Sequence, residues 1–115
     1  MAGEYQVIYV SDAENDLDAI LVFLSNTYGK RTAEVFYSKV ADAVATIANY
    51  PLSRPVYLPE REDLGQRFRF IFVTKSYRLV YKVIEEQQLV KIYSISHHAI
   101  DSETIIGNVI KVEEE

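Results

Sequence analysis

The stretch "RFRFIFVTKSYRLVYKV", residues 67–83, holds Arg67, Arg69, Lys75, Arg78 and Lys82 and no acid. The whole chain is acidic, with 12 basic residues against 17 acidic ones and a net charge of −5. Apolar and basic positions alternate here in two runs split by "TKS", the period-two pattern of two strands joined by a short polar connection. In the first run Phe68, Phe70 and Phe72 share one face, while Arg67 and Arg69 share the other with Ile71 and Val73. In the second, Tyr77, Leu79, Tyr81 and Val83 lie together, opposite Arg78, Val80 and Lys82. If the Phe and Tyr faces cover a core, Arg67, Arg69, Arg78 and Lys82 emerge together on the other side. Like charges so close repel, and neither strand carries a carboxylate to offset them. The face therefore reads as a binding surface for phosphates or carboxylates rather than as a merely solubilising one.

Outward from this stretch, "EEQQ" separates the second strand from a third over 88–96, so the three form an antiparallel meander. In that third strand Lys91, Tyr93 and Ile95 alternate with Val90, Ile92 and Ser94, and neither set is clearly the core face. Upstream, "EYQVIYV" (4–10) is rich in β-branched and aromatic residues and reads as another strand. Ser11 and Glu14 have the spacing of a capping box at a helix start. Ala13, Leu17, Ile20, Leu21, Leu24 and Tyr28 then recur at helical spacing, and Gly29 offers a left-handed stop. A second stripe, Ala33, Phe36, Tyr37, Val40, Val44, Ile47 and Ala48, ends at Pro51. Two helices about four residues apart fold back as an antiparallel hairpin. Residues 51–64 contain all three prolines and read as loop, and the tail is expected to form a short helix after Ser102 with a frayed acidic end. The expected class is α+β, in the order β-α-α-β-β-β, with the helical hairpin packed on one face of a small, mainly antiparallel sheet.

A chain of 115 residues suits one domain, here 1–115 with a core of about 4–101 and a C-terminal tail of 102–115. There is no cysteine, which removes disulfides and thiolate metal sites. His97 and His98 are adjacent, so on a strand they point to opposite faces and cannot share an ion, and neither metal nor cofactor is expected. Ser96 beside them lacks a third residue to complete a nucleophile arrangement. Most of the nine tyrosines are assigned to packing rather than to base stacking. No signal peptide is evident, and no apolar run approaches the ~20 residues of a membrane span, so the expectation is a soluble cytoplasmic protein without membrane contact.

The ordered set of motifs resembles the RelE/ParE superfamily of type II toxin–antitoxin toxins over about residues 4–101. Its pieces are "SDAENDLDAI" after the first strand, "YG" between the helices, "AEVFYSKV" in the second helix and "YP" at its end. "LGQRFR", "YRLVYKV" and "IYSISHHAID" follow. The resemblance implies a small toxin, neutralised by a cognate antitoxin in a hetero-oligomer, that arrests growth when free. RelE-like members cut messenger RNA on the ribosome and ParE-like members poison DNA gyrase. RNA cleavage activates a ribose 2′-hydroxyl and needs a base, an acid and cations for the phosphorane charge. For a RelE-like chain the resemblance places those roles on Arg67, Arg69 and Arg78, with His98 after the last strand. With Lys82 added from the charged sheet face, the target contacts of either kind are expected on Arg61, Arg67, Arg69, Arg78, Lys82 and His97.

Four observations put the ParE-like reading first. From Ala99 to Glu115 there is no aromatic residue, where RelE-like enzymes often carry one, and no glutamate is obviously poised as base. "DLDAILVFL", "YGKRTAEVF", "PLSRP" and the closing His97-xxx-Asp101 resemble the ParE arrangement. An acidic chain also suits a gyrase surface better than ribosomal RNA. A third reading keeps the fold as a non-toxic adaptor whose acidic first helix binds a basic partner.

Overall fold

The computed structural model describes residues 4–114. Strand β1 (Gln6–Tyr9) runs straight into helix α1 (Ser11–Tyr28), which is followed by helix α2 (Lys30–Asn49). Strands β2 (Phe68–Phe72), β3 (Tyr77–Ile84) and β4 (Leu89–His97) follow the proline-containing segment, and helix α3 (Ser102–Glu114) closes the chain. The expected α+β order is therefore present, with α3 as a full third helix. Among the described residues no helix is long and apolar enough to cross a membrane.

The sheet order is β1-β4-β3-β2, with β1 parallel to β4 and the other pairs antiparallel. The first strand thus pairs with the last. The crossover that a parallel pair requires is supplied by everything between them. Val10 donates its N–H to Ile92 O at 3.0 Å, which extends β1 by one residue, and its own carbonyl then receives the N–H groups of Ala13 and Glu14. Val10, not Ser11, is the helix N-cap, and no side chain caps it. The expected capping box does not form because the strand's pairing starts the helix one residue early. Asp12 and Glu14 still place negative charge at the positive end of the helix dipole.

One residue, not four, separates the two helices. Gly29 has φ 103° and ψ 162°, outside the left-handed region expected for it and in a region essentially reserved for glycine. Its N–H closes the last turn of α1 on Ser25 O at 3.0 Å.

The hairpin packs on one sheet face. Ala13, Leu24, Phe36, Val40, Ala43 and Ile47 meet Ile71, Val73, Leu79, Tyr81, Val90, Ile92 and Ile95. The opposite face is not open either. Tyr57 and Leu64 from the proline-containing segment, with Ile105, Ile106 and Val109 from α3, bury Phe68, Val80 and Tyr93. Tyr81 and Phe68 are both fully buried, one in each layer, and each such side chain is worth roughly 1.5–3 kcal/mol of apolar transfer. The two layers explain the mixed pattern of β4. A bulge sits where Val80 pairs with Ser94 while Tyr81 pairs with Ile92, so Tyr93 is the extra residue. Val90, Ile92 and Ile95 serve the hairpin side and Tyr93 serves the α3 side.

Candidate functional site

The register of β2 corrects the face assignment. Phe68 lies opposite Lys82, Phe70 opposite Val80 and Phe72 opposite Arg78, whereas Arg69 lies opposite Tyr81 and Ile71 opposite Leu79. Residues directly opposite share a face. The Phe row therefore stands with Arg78 and Lys82 on the α3 side, and Arg69 stands with Ile71 and Val73 on the hairpin side. β3 has the expected orientation and β2 the reverse. The four basic residues do not form one surface.

Nor are they free of carboxylates. Glu113, in the last turn of α3, accepts from Lys82 Nζ at 2.8 Å through one oxygen and from Arg67 Nη1 at 2.9 Å through the other. Its side chain is only 16 % exposed, so the helix end is docked rather than frayed. Arg67 also donates to Leu64 O at 2.9 Å, and its guanidinium lies 5.3 Å from the centre of the Phe68 ring. Arg61 is held by Asp63 at 2.7 Å and by Glu103 of α3. Its pKa is raised, first by Asp63 and then by Glu103, and that of Asp63 is correspondingly lowered by Arg61. The carboxylates of α3 were the missing signal. Glu103 and Glu113 lie 31 to 46 residues along the chain from the cations they meet, and only the helix's placement over the sheet brings them there.

Arg78 has a different environment. Its guanidinium lies 5.9 Å from the ring centres of both Phe70 and Phe72, and the structure gives it no carboxylate partner among the described residues. Phe72 is 56 % exposed, which makes this an aromatic and cationic patch at the turn end of the β2–β3 pair. Contacts of this kind are worth about 0.5–1 kcal/mol in exposed settings and more when a partner removes the water.

His97 closes the same end of the sheet, paired with Tyr77 in register and set edge-on to its ring at 5.1 Å. Its Nδ1 accepts the Ala99 N–H at 3.0 Å, and its carbonyl accepts the Ile100 N–H at 3.0 Å. The Asp101 carbonyl accepts the Ile105 N–H. The His97-xxx-Asp101 spacing is thus the turn that launches α3. His98 does not project to the opposite face, as alternation along a strand would have it. β4 ends at His97, the chain turns, and the two imidazoles stack at 4.5 Å with an interplanar angle of 28°. His98 is exposed at the rim, its N–H on Ser76 O at 2.7 Å.

A concavity of about 460 Å³ opens between α1, the end of β4 and α3. Here Asp16 accepts the Ile95 N–H at 3.1 Å, covering the edge of β4 beyond the point where β1 stops. Burial holds its carboxyl above the usual range and Asp12 adds to this, while the bonds from Ile95 and Ser94 act the other way.

This geometry has a counterpart in a known family. The model of the "ParE toxin of type II toxin-antitoxin system, parDE" matches residues 7–102, from β1 to the first residue of α3. The chain belongs to the ParE toxin family. Among solved structures it is similar to a chain of the chromosomal ParDE toxin–antitoxin system from P. aeruginosa. The TM-score is 0.64 at 16% identity, over 82% of this chain and 96% of that one. A mutant of the E. coli toxin RelE in the free state aligns with a TM-score of 0.64 at 16% identity, over 96% and 98% of the two chains. A chain of the RelBE2 toxin–antitoxin complex from Mycobacterium tuberculosis aligns with 0.55 at 20%, over 87% and 98%. At such identities these structures establish the shared RelE/ParE fold. No curated protein matches in sequence.

Proposed function

We propose that this ParE-family toxin arrests growth by binding and inhibiting DNA gyrase, and that a cognate antitoxin neutralises it in a hetero-oligomer. The observation that carries the choice of target is the state of the sheet cations. Cleavage of RNA at a ribose 2′-hydroxyl needs several cations gathered on one phosphate beside an acid and a base. In this chain Arg61, Arg67 and Lys82 are already engaged by Asp63, Glu103 and Glu113, and Arg69 stands on the other side of the sheet. Inhibition of a protein target requires a surface and no catalytic set. Arg78 between Phe70 and Phe72 has the mix of aromatic and arginine groups that anchors protein interfaces, and His97 stands at the same sheet end on the face of Tyr77. Arg61, Arg67 and Lys82, held in ion pairs away from the Phe72–Arg78 end, are proposed as secondary contacts, reached only where a partner displaces α3.

The deciding experiment sets two reactions side by side with the purified free toxin: supercoiling by gyrase, and cleavage of messenger RNA on ribosomes. Inhibited supercoiling with intact RNA is the expected result. Cut RNA with normal supercoiling would overturn the gyrase assignment in favour of the RelE-like activity. Normal results in both assays, with no growth arrest on expression, would favour the adaptor.

A further inference from the structure

The segment after α2 starts on the hairpin side of the sheet, runs antiparallel along the free edge of β2 through a bridge between Val56 and Arg69, and is tied there at four points. Tyr81 donates its hydroxyl to Pro51 O at 2.7 Å, and Arg69 Nη1 donates to Arg54 O at 2.6 Å. Phe70 N–H meets Pro55 O at 3.2 Å, and Tyr57 N–H meets Phe68 O at 2.8 Å. These bonds bring Arg54 and Arg69 to one corner of the molecule, beside the fully buried Tyr81.

That corner has an unbalanced charge. Neither Arg54 nor Arg69 has a carboxylate within ion-pair distance among the described residues, in contrast to Arg61, Arg67 and Lys82. The Nε of Arg54 is buried and has no acceptor at all. A buried charged donor without an acceptor is unfavourable, and such groups are rare unless something completes them. Tyr81 is not the counter-ion. Burial pushes its pKa up to about 12 against the pull of Arg69 and Arg54, so it is a neutral phenol with its proton committed to Pro51. The C-terminal end of α2 contributes about half a negative charge, too little for two guanidinium groups.

We propose that Arg54 and Arg69 form a seat for one oxyanion, a carboxylate or a phosphate group, beneath the 51–57 segment. The planar guanidinium fork suits either group, since both present paired oxygens. The seat lies on the hairpin side of the sheet, across from the Arg78 patch, and does not depend on which target the toxin has.

The test is a titration of the purified full-length chain, following the arginine Nε–H resonances by NMR at constant ionic strength. Sodium phosphate and sodium acetate are the two probes, and sodium chloride is the reference. The Arg54 and Arg69 resonances should shift saturably, with half-saturation on the order of millimolar. Saturation by acetate alone assigns a carboxylate, and saturation by phosphate alone assigns a phosphoryl group. Arg54→Gln should weaken binding at least about tenfold. Arg69→Lys, which keeps the charge and the strand, should weaken it several-fold and guards against loss of folding in the first variant. Shifts no larger than those given by chloride, or saturation unchanged in both variants, would overturn the proposal.

Discussion

Lys82 and Glu113 meet at 2.8 Å between the sheet and the last turn of α3, and the second oxygen of the same carboxylate holds Arg67. One half-buried glutamate thus pairs with two cations, one before β2 and one within β3, and fastens the C-terminal helix. Replacing it by Gln leaves the shape but removes the charge. Glu113→Gln should lower stability by about 1–2 kcal/mol, since charge-assisted bonds lie at the upper end of the hydrogen-bond range. Thermal unfolding should fall by several degrees, and amide exchange should accelerate in α3 before the hairpin. Uniform acceleration across both elements would contradict a local fastening.

Gly29 offers a purely backbone test. Beyond its two chain neighbours, no atom lies within 4 Å of where a Cβ would stand, so Gly29→Ala meets no tertiary clash. The φ of 103° is nonetheless strained for any L side chain. The substitution should cost about 1–3 kcal/mol in urea unfolding. A change within error of zero would mean that the joint relaxes into another conformation.

Asp16 supplies a pH dependence of defined sign. Its folded-state pKa lies above the ordinary 3.8, so the folded chain takes up this proton first as pH falls. Acidification through the window between the raised value and 3.8 therefore favours folding, and the charged carboxylate opposes folding above it. Asp16→Asn keeps an acceptor for the Ile95 N–H and removes the charge. It should raise stability at neutral pH and flatten the profile in mild acid. Asp16→Ala loses the acceptor and should cost about 1–2 kcal/mol. Identical pH slopes for the wild type and Asp16→Asn would sink this assignment.

Arg69 and Arg78 can be separated because they stand on opposite sides of the sheet. Arg78→Glu should abolish growth arrest with only a modest effect on folding, as a half-buried cation with no carboxylate partner among the described residues is replaced beside the exposed Phe72. Arg69→Glu should leave the Arg78 patch intact while disturbing the 51–57 segment through the lost bond to Arg54 O. Growth assays on expression, paired with thermal melts, read the two effects. Full arrest by the Arg78→Glu variant would remove that patch from the target contact.

The order of elements and both helix stripes were legible because a helix buried on one side writes its period directly into the sequence, as Phe36, Val40 and Ile47 do. The phase of β2 was not. With α3 covering the far side, both faces of the sheet demand apolar residues, so the Phe68, Phe70, Phe72 row could serve either layer. It was the pairing of Phe68 with Lys82, not hydrophobicity, that decided. The same ambiguity hid the bulge at Tyr93. Cations could be recognised as a group, but their neutralisation depends on Glu103 and Glu113, and no local pattern announces a contact across 42 or 46 positions. Arg54 escaped notice because a lone arginine in a proline-containing segment resembles any solvated loop residue.

The parallel pairing of β1 with β4 has a consequence for biosynthesis. A nascent chain that has released only the helices holds β1 with no edge to join, since Val7 and Tyr9 align with Val90 and Ile92. Closure of the sheet waits until the final third of the polypeptide has left the ribosome. The molecule therefore matures late: until β4 is made, the hairpin has no completed sheet to cover.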